Sequence, residues 1–371
     1  MQYRGTDVDQ LIAAGNGRLV IGDGASLEGL LIPKRLSEVT VASAAYLDRP
    51  LEDPAVAAEI TRHYHQVSAQ HVIARNKGRP EGLITYTARH HPRRLRYAAD
   101  ATTRAIAHLT ENPKAVACQF SAAALLGITH FADAADSALY GPYSARITTH
   151  AQQPTLRRAP RGLPTWNLHL DDLTLTVTPP MLTLAHCLRA VLNGEHAWHV
   201  PGGLPHTAAT VRAVQLIDRY RREFSLSADH LTQALEGLIN RRALDRLLRL
   251  TDDGADSPPE TLLRLIARHA APELQWVSQV PVYADGSVGT RDPATSLLTV
   301  LDLACLEHRR YLYYDGEHHL DRAQRDKDAL ITALLSSAGW VGIRVTAGML
   351  ETVHQLNGLI RVLVSPENHA A

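Results

Sequence analysis

Apolar positions recur with helical spacing over residues 54–75 and 99–111, and both stretches predict helices. Residues 115–128, AVACQFSAAALLGI, are a run of small apolar side chains ending on glycine, which predicts a short, closely packed helix. From about 145 to 180 the pattern changes. ARITTHA and LTLTVTPP alternate β-branched with polar positions and are bounded by prolines, as strands are. Residues 181–250 return to helical Leu/Ala spacing, with many arginines. Ahead of all this, GNGRLVIGDGASLEGLLIP breaks short apolar runs with glycines and predicts short strands. The spacing of Gly15, Gly17 and Gly22 does not fit a dinucleotide loop.

The sharpest boundary is Asp252-Asp253-Gly254-Ala255-Asp256-Ser257-Pro258-Pro259, acidic, turn-rich and closed by two prolines. Beyond it the pattern predicts a helix over 258–270, with Ser257 as N-cap, Pro258 at the first helical position and Glu260 completing a capping box. Strands follow over 276–283, 297–304 and 309–314. A helix over 321–338 is stopped by Gly339, and a strand over 340–346 and a helix over 347–357 complete the order α-β-β-β-α-β-α. That order implies a mixed sheet with helices on its faces.

Composition narrows the function classes. The chain has 371 residues, more than one domain usually takes, and 45% are hydrophobic. Lys plus Arg and Asp plus Glu both number 38, which excludes a histone-like polycation but leaves local basic patches. Such patches are Arg89-His90-His91-Pro92-Arg93-Arg94-Leu95-Arg96, Arg157-Arg158 with Arg161, and Arg241-Arg242 with Arg246 and Arg249; solvated helix and loop faces are the favoured reading of each. The three cysteines, Cys118, Cys187 and Cys305, stand far apart in apolar contexts, so they predict buried thiols in a reducing compartment. No run of about eighteen apolar residues occurs, and the first residues do not read as a secretory signal. The expectation is a cytoplasmic protein with no membrane partner.

The candidate chemistry lies in Leu301–His319, LDLACLEHRRYLYYDGEHH. Asp302 sits inside an apolar strand pattern, where a carboxylate is costly unless it is paired or binds a metal. Asp315 ends the next strand on the same face as Tyr311 and Tyr313 and is followed by Gly316, Glu317, His318 and His319. If the strands are neighbours, the two carboxylates converge as hard oxygen ligands of the kind Mg²⁺ takes. Each residue also has a plainer role. Asp302 could pair with Arg310, Asp315-Gly316 could be a turn dipeptide, and His318-His319 is no rarer than His90-His91. Glu260 is accounted for by the capping box. Asp326, Lys327 and Asp328 read as a solvated helix face, and Arg344 as a phosphate contact or a counter-charge for the carboxylates.

In this order, Ser257-Pro258-Pro259-Glu260-Thr261-Leu262-Leu263-Arg264, Leu301-Asp302-Leu303-Ala304, Tyr313-Tyr314-Asp315-Gly316-Glu317-His318-His319, Asp326 and Asp328, Gly339-Trp340 and Arg344-Val345-Thr346 resemble the restriction-endonuclease-like PD-(D/E)xK superfamily. Within it they are most similar to very-short-patch-repair-type endonucleases and their relatives. The resemblance covers about 257–350. It implies a cytoplasmic DNA-processing protein whose carboxy-terminal domain hydrolyses phosphodiester bonds with Mg²⁺ or Mn²⁺. Asp302, Asp315 and Glu260 would hold the metal, and His318 or His319 would act on water. One departure is plain: Tyr313 occupies the position where many relatives carry glutamate. The alternative reading is therefore a non-enzymatic DNA-binding regulator or antitoxin-like protein with a degenerate nuclease fold.

Ala115–Ile128 and the run Val177–Ala185 resemble abortive-infection antitoxin-type winged-helix proteins. The expected fold is thus a multidomain α/β (α+β) protein. A mixed segment (1–45), a mainly helical winged-helix or antitoxin-like DNA-binding region (46–180) and a helical connector (181–256) precede a restriction-endonuclease-like αβββαβα domain (257–365).

Overall fold

The computed structural model describes residues 6–12, 30–39, 53–141, 147, 150–170, 173–255, 257–289, 296–316 and 322–365. They form a mixed α/β structure of thirteen α-helices and three sheets. Among them no helix is long and apolar enough to cross a membrane. The chain divides into two compact units, Met1–His199 with Ala228–Leu244, and Val200–Ser227 with Asp245–Ala371.

The first unit opens with α1 (Thr6–Leu11), β1 (Lys34–Arg35), α2 (Pro54–His63), β2 (Tyr64–Gln66), β3 (His71–Ala74), α3 (Glu81–His90) and α4 (Ala101–Glu111). It continues with β4 (Val116–Ala117), α5 (Gln119–Leu125), β5 (Ala138–Gly141), β6 (Thr155–Arg158), β7 (Trp166–Leu170), β8 (Leu173–Val177) and α6 (Pro180–Leu192). The chain then gives α7 (Ala208–Phe224) to the second unit and α8 (Ala228–Ala234) to the first, and the division falls within α9 (Arg241–Leu248). The strands make a sheet of order β1-β3-β2 and another of order β6-β5-β4-β8-β7.

The helical periodicity over 54–75 ends at His63. Tyr64–Gln66 instead pairs antiparallel with Val72–Ala74, since β-branched Val67, Val72 and Ile73 suit a half-buried hairpin better than a helix. Small side chains let α4, α5 and α6 pack closely, with Ala105, Ala107, Ala122, Ala123 and Ala185 fully buried. Cys118, Cys187 and Cys305 are buried free thiols.

Asp136 ties this unit together. It accepts from His91 Nε2 at 3.0 Å and Tyr97 Oη at 2.7 Å, and it pairs with Arg93. Burial pushes the Asp136 carboxyl up, but the hydrogen bonds from His91, Tyr97 and Arg93 outweigh it and hold the group down at about 2, against an ordinary 3.8. A carboxyl depressed on folding adds stability above its unfolded pKa and loses it as pH falls through the folded one. Wild type should therefore exceed Asp136→Asn by about 2 kcal/mol more at pH 5 than at pH 2. Urea unfolding at the two pH values measures this, and a pH-independent gap would contradict it.

The second unit adds to α7 the elements α10 (Pro258–Ala270), β9 (Val277–Tyr283), β10 (Leu297–Cys305), β11 (Arg310–Asp315), α11 (Arg322–Ser337), β12 (Val341–Thr346), α12 (Ala347–Glu351) and α13 (Val353–Val364). Its sheet has the order β12-β11-β10-β9. The pairs β9–β10 and β10–β11 are antiparallel, and β11–β12 is parallel. Helix α11 ends at Gly339, whose φ of 77° suits a residue without a Cβ. The backbone N–H groups of Gly339 and Trp340 then return to the carbonyls of Ser336 and Leu335. The helix expected over 347–357 is two helices, broken at Thr352. Val280, Val282, Leu301, Ala304, Tyr311, Leu335 and Trp340 form the apolar core of the sheet.

Candidate functional site

Strand register sets the site. Leu301 pairs with Val280 and Leu303 with Ser278, so Asp302 stands across from Gln279. One step beyond the Leu303–Leu312 pair, the other neighbour of Asp302 is Tyr313, and Tyr313 pairs with Arg344. Four polar residues, one from each strand, thus form a row across the sheet. Gln279 has φ 53°, a left-handed conformation that costs a non-glycine residue about 1–3 kcal/mol and recurs at functional sites.

Asp302 is half-buried, and its Oδ2 accepts the backbone N–H of Tyr314 at 2.6 Å. The carboxylate so takes up an amide where the β10–β11 ladder ends. Arg310, considered as its partner, donates to the carbonyls of Leu363 and His308. Burial, and next the charge of Asp302, push the Tyr313 hydroxyl up; a hydrogen bond with Thr299 and the Arg344 charge oppose them.

Asp315 pairs with Arg344, Nη1 to Oδ2 at 3.5 Å. The same Nη1 lies 3.1 Å from Asp328 Oδ2, and the Arg344 guanidinium stands 5.5 Å from the centre of the Tyr313 ring. Burial works against the Arg344 charge, but the hydrogen bond to Asp328 and the charges of Asp328 and Asp315 prevail and raise its pKa further. Asp328 is therefore part of this ion-pair group, in contrast to Asp326 and Lys327, which are exposed. It turns inward because its place on α11 faces the strand that carries Arg344.

Glu260 is engaged apart from these residues. Ser257 Oγ donates to its Oε1 at 2.7 Å, and Gln279 Nε2 donates to its Oε2 at 2.9 Å. The expected capping box is thus a side-chain-to-side-chain contact, with no hydroxyl cap on the helix backbone. Through Gln279 the glutamate joins the end of the polar row.

Comparison with protein-family models, curated proteins and solved structures found no match.

Of the five residues singled out by sequence, Asp302 and Asp315 lie on adjacent strands, and Glu260 reaches the same row through Gln279. His318 and His319 lie outside the described residues. Among the described residues no three His, Cys, Asp or Glu side chains gather in a metal-holding group. Each carboxylate instead has its own partner: an amide for Asp302, a guanidinium for Asp315, and a hydroxyl with an amide side chain for Glu260. Sequence reasoning missed Gln279 and Thr299. Their roles come from strand register, which no local motif encodes.

Proposed function

We propose that the second unit is a nuclease-like module that engages duplex DNA without cutting it, in a protein acting as a DNA-binding regulator. The observation that carries this reading is the Arg344 guanidinium between Asp315 and Asp328, next to Tyr313. A divalent cation shared by Asp302 and Asp315 would have to compete with that fixed positive charge, and Tyr313 provides no acid to strengthen its hold. This donor set, as it stands, does not fit a bound Mg²⁺.

The order α10-β9-β10-β11-α11-β12-α12, with its mixed sheet, supports the nuclease-like part. Exposed arginines support the DNA partner. Arg241, Arg242, Arg246 and Arg249 are exposed, whereas Leu244 and Leu247 on the same stretch are buried. Arg89, Arg93, Arg94 and Arg96 are exposed as well. In the first unit the β2–β3 hairpin, set between α2 and α3 in the chain, supports a helix-and-wing arrangement.

A second reading is favoured by one contact. Asp302, on β10, accepts the amide of Tyr314, the residue next to Asp315 on the neighbouring β11. In that reading Asp302, Asp315 and Glu260 would hold Mg²⁺ or Mn²⁺ only with Arg344 moved off Asp315, and the metal would supply Lewis acidity toward a phosphodiester.

A gel shift and a plasmid-nicking assay decide between the readings. Duplex DNA should bind with salt-dependent affinity, weakening about 40-fold from 50 to 200 mM salt for three phosphate contacts, while supercoiled plasmid stays intact with Mg²⁺ or Mn²⁺. Metal-dependent nicking that disappears in Asp302→Ala would replace the first reading with the second. No binding at low salt would remove both.

A further inference from the structure

The first unit contains a cavity of about 360 Å³, lined by first-unit residues and none of the polar row. It lies against α2, the β2–β3 hairpin and the segment Arg96–Ala99. One side is apolar, including Ile60, Val67 and Val72; Arg75, Arg96, Arg104, His65, Tyr64 and Tyr97 supply polar and aromatic groups. No acidic residue is among those that line it.

Arg104 makes the cavity unusual. Its side chain is buried, with the residue 2% exposed, and its guanidinium lies 3.8 Å from the centre of the Tyr97 ring. The guanidinium donates to the carbonyls of Asp133 at 2.9 Å and Ala135 at 2.9 Å, to that of Ala132 at 3.4 Å, and to the Ser137 hydroxyl at 3.3 Å. None of these partners is a carboxylate. The two carboxylates whose charge it feels, Asp133 and Asp100, have other partners. Asp133 pairs with Arg79 at 3.6 Å and accepts the Ala101 amide, and Asp100 caps α4 through Thr103. A buried cation without an ion-pair partner is costly, and an anion in the adjoining cavity would offset that cost.

At the rim, Arg75 uses Nε and Nη2 on the Thr61 carbonyl, and Arg96 uses Nη2 on the exposed Glu81. An arginine carries five N–H donors, so both have others to offer a ligand. His65 is held close by Gly78, where a Cβ would come within 2.6 Å of the imidazole Cδ2.

We infer that this cavity binds a small phosphate ester, through the forked donors of Arg75 and Arg96 over the buried charge of Arg104, with its organic part against the apolar wall. Phosphate is the group best matched by several guanidinium forks. The volume lies at the small end of ligand sites, large enough for a sugar phosphate or a nucleoside monophosphate.

Isothermal titration of the full chain with inorganic phosphate, ribose 5-phosphate and adenosine monophosphate, with adenosine as the uncharged control, tests this. At least one phosphate compound should give saturable heat and adenosine none. Arg75→Ala should weaken that binding at least tenfold while the melting temperature holds. Should Arg75→Ala fail to fold, Arg96→Ala, at a surface pair, serves in its place and should show the same weakening. No saturable heat with any phosphate compound, equal affinity in the variant, or equal binding of adenosine would overturn the inference.

Discussion

Replacing Arg264 with alanine is expected to destabilise the second unit by about 3–5 kcal/mol, the usual cost of removing one partner from a buried ion pair. Arg264 is 0% exposed and pairs with Asp218, whose side chain is 1% exposed. The carboxylate also accepts from Thr261 Oγ1 at 2.8 Å and from the Asp252 amide at 2.8 Å, and Arg264 donates to the Leu250 carbonyl. Burial already pushes the Asp218 carboxyl up, with the Arg264 charge the main force opposing it. Without the arginine the carboxylate stays buried and loses its paired counter-charge. Replacing both partners, Asp218→Leu with Arg264→Met, should recover much of the loss, because well-packed apolar groups need no such compensation. Chemical unfolding of the single and double variants measures this. A single-variant cost under about 1 kcal/mol would show that the pair contributes little.

Trp340→Ala should cost a similar amount, about 3–5 kcal/mol, by leaving a large cavity in the sheet core. Trp340 is 2% exposed among Val280, Tyr311 and Leu335. Trp340→Phe should behave differently. The indole Nε1 is buried with no hydrogen-bond partner among the described residues, so phenylalanine removes an unsatisfied donor along with some volume. Its expected cost stays below about 1.5 kcal/mol. Thermal unfolding separates the two, and equal losses would mean that the indole N–H has a role that its surroundings do not show.

The carboxy-terminal elements were legible because local signals agree there. Ser257 and Pro258 start α10, Gly339 stops α11, and the alternating runs between them are strands within a residue or two of their expected ends. Upstream, local signals conflict. Residues 64–74 sit within a helical periodicity yet form a hairpin, and 115–128 divides between β4 and α5. Those outcomes depend on pairing with distant strands, as β4 pairs with β8 through Ala117 and Val177.

The site was legible in part for the same reason. Asp302 and Asp315 stand out in their own strands, and Arg344 was one of two roles already open to it. The polar row, however, comes from adding residues 279, 302, 313 and 344 across four strands, and spacing along the chain carries no record of that alignment. Asp328 was read as solvated because a helix face shows its partners only once the neighbouring strand is known.

The placement of α7 bears on any attempt to shorten the protein. The acidic, proline-closed stretch before Ser257 looks like a natural cutting point, yet α7 and α10 belong to one compact unit although α8 separates them in the chain. A fragment beginning at Ser257 would keep Arg264 and leave Asp218 behind, and would also lose Gln215, whose side chain donates to the Pro258 carbonyl at 3.0 Å. The second unit is discontinuous in sequence, so no single cut releases it whole.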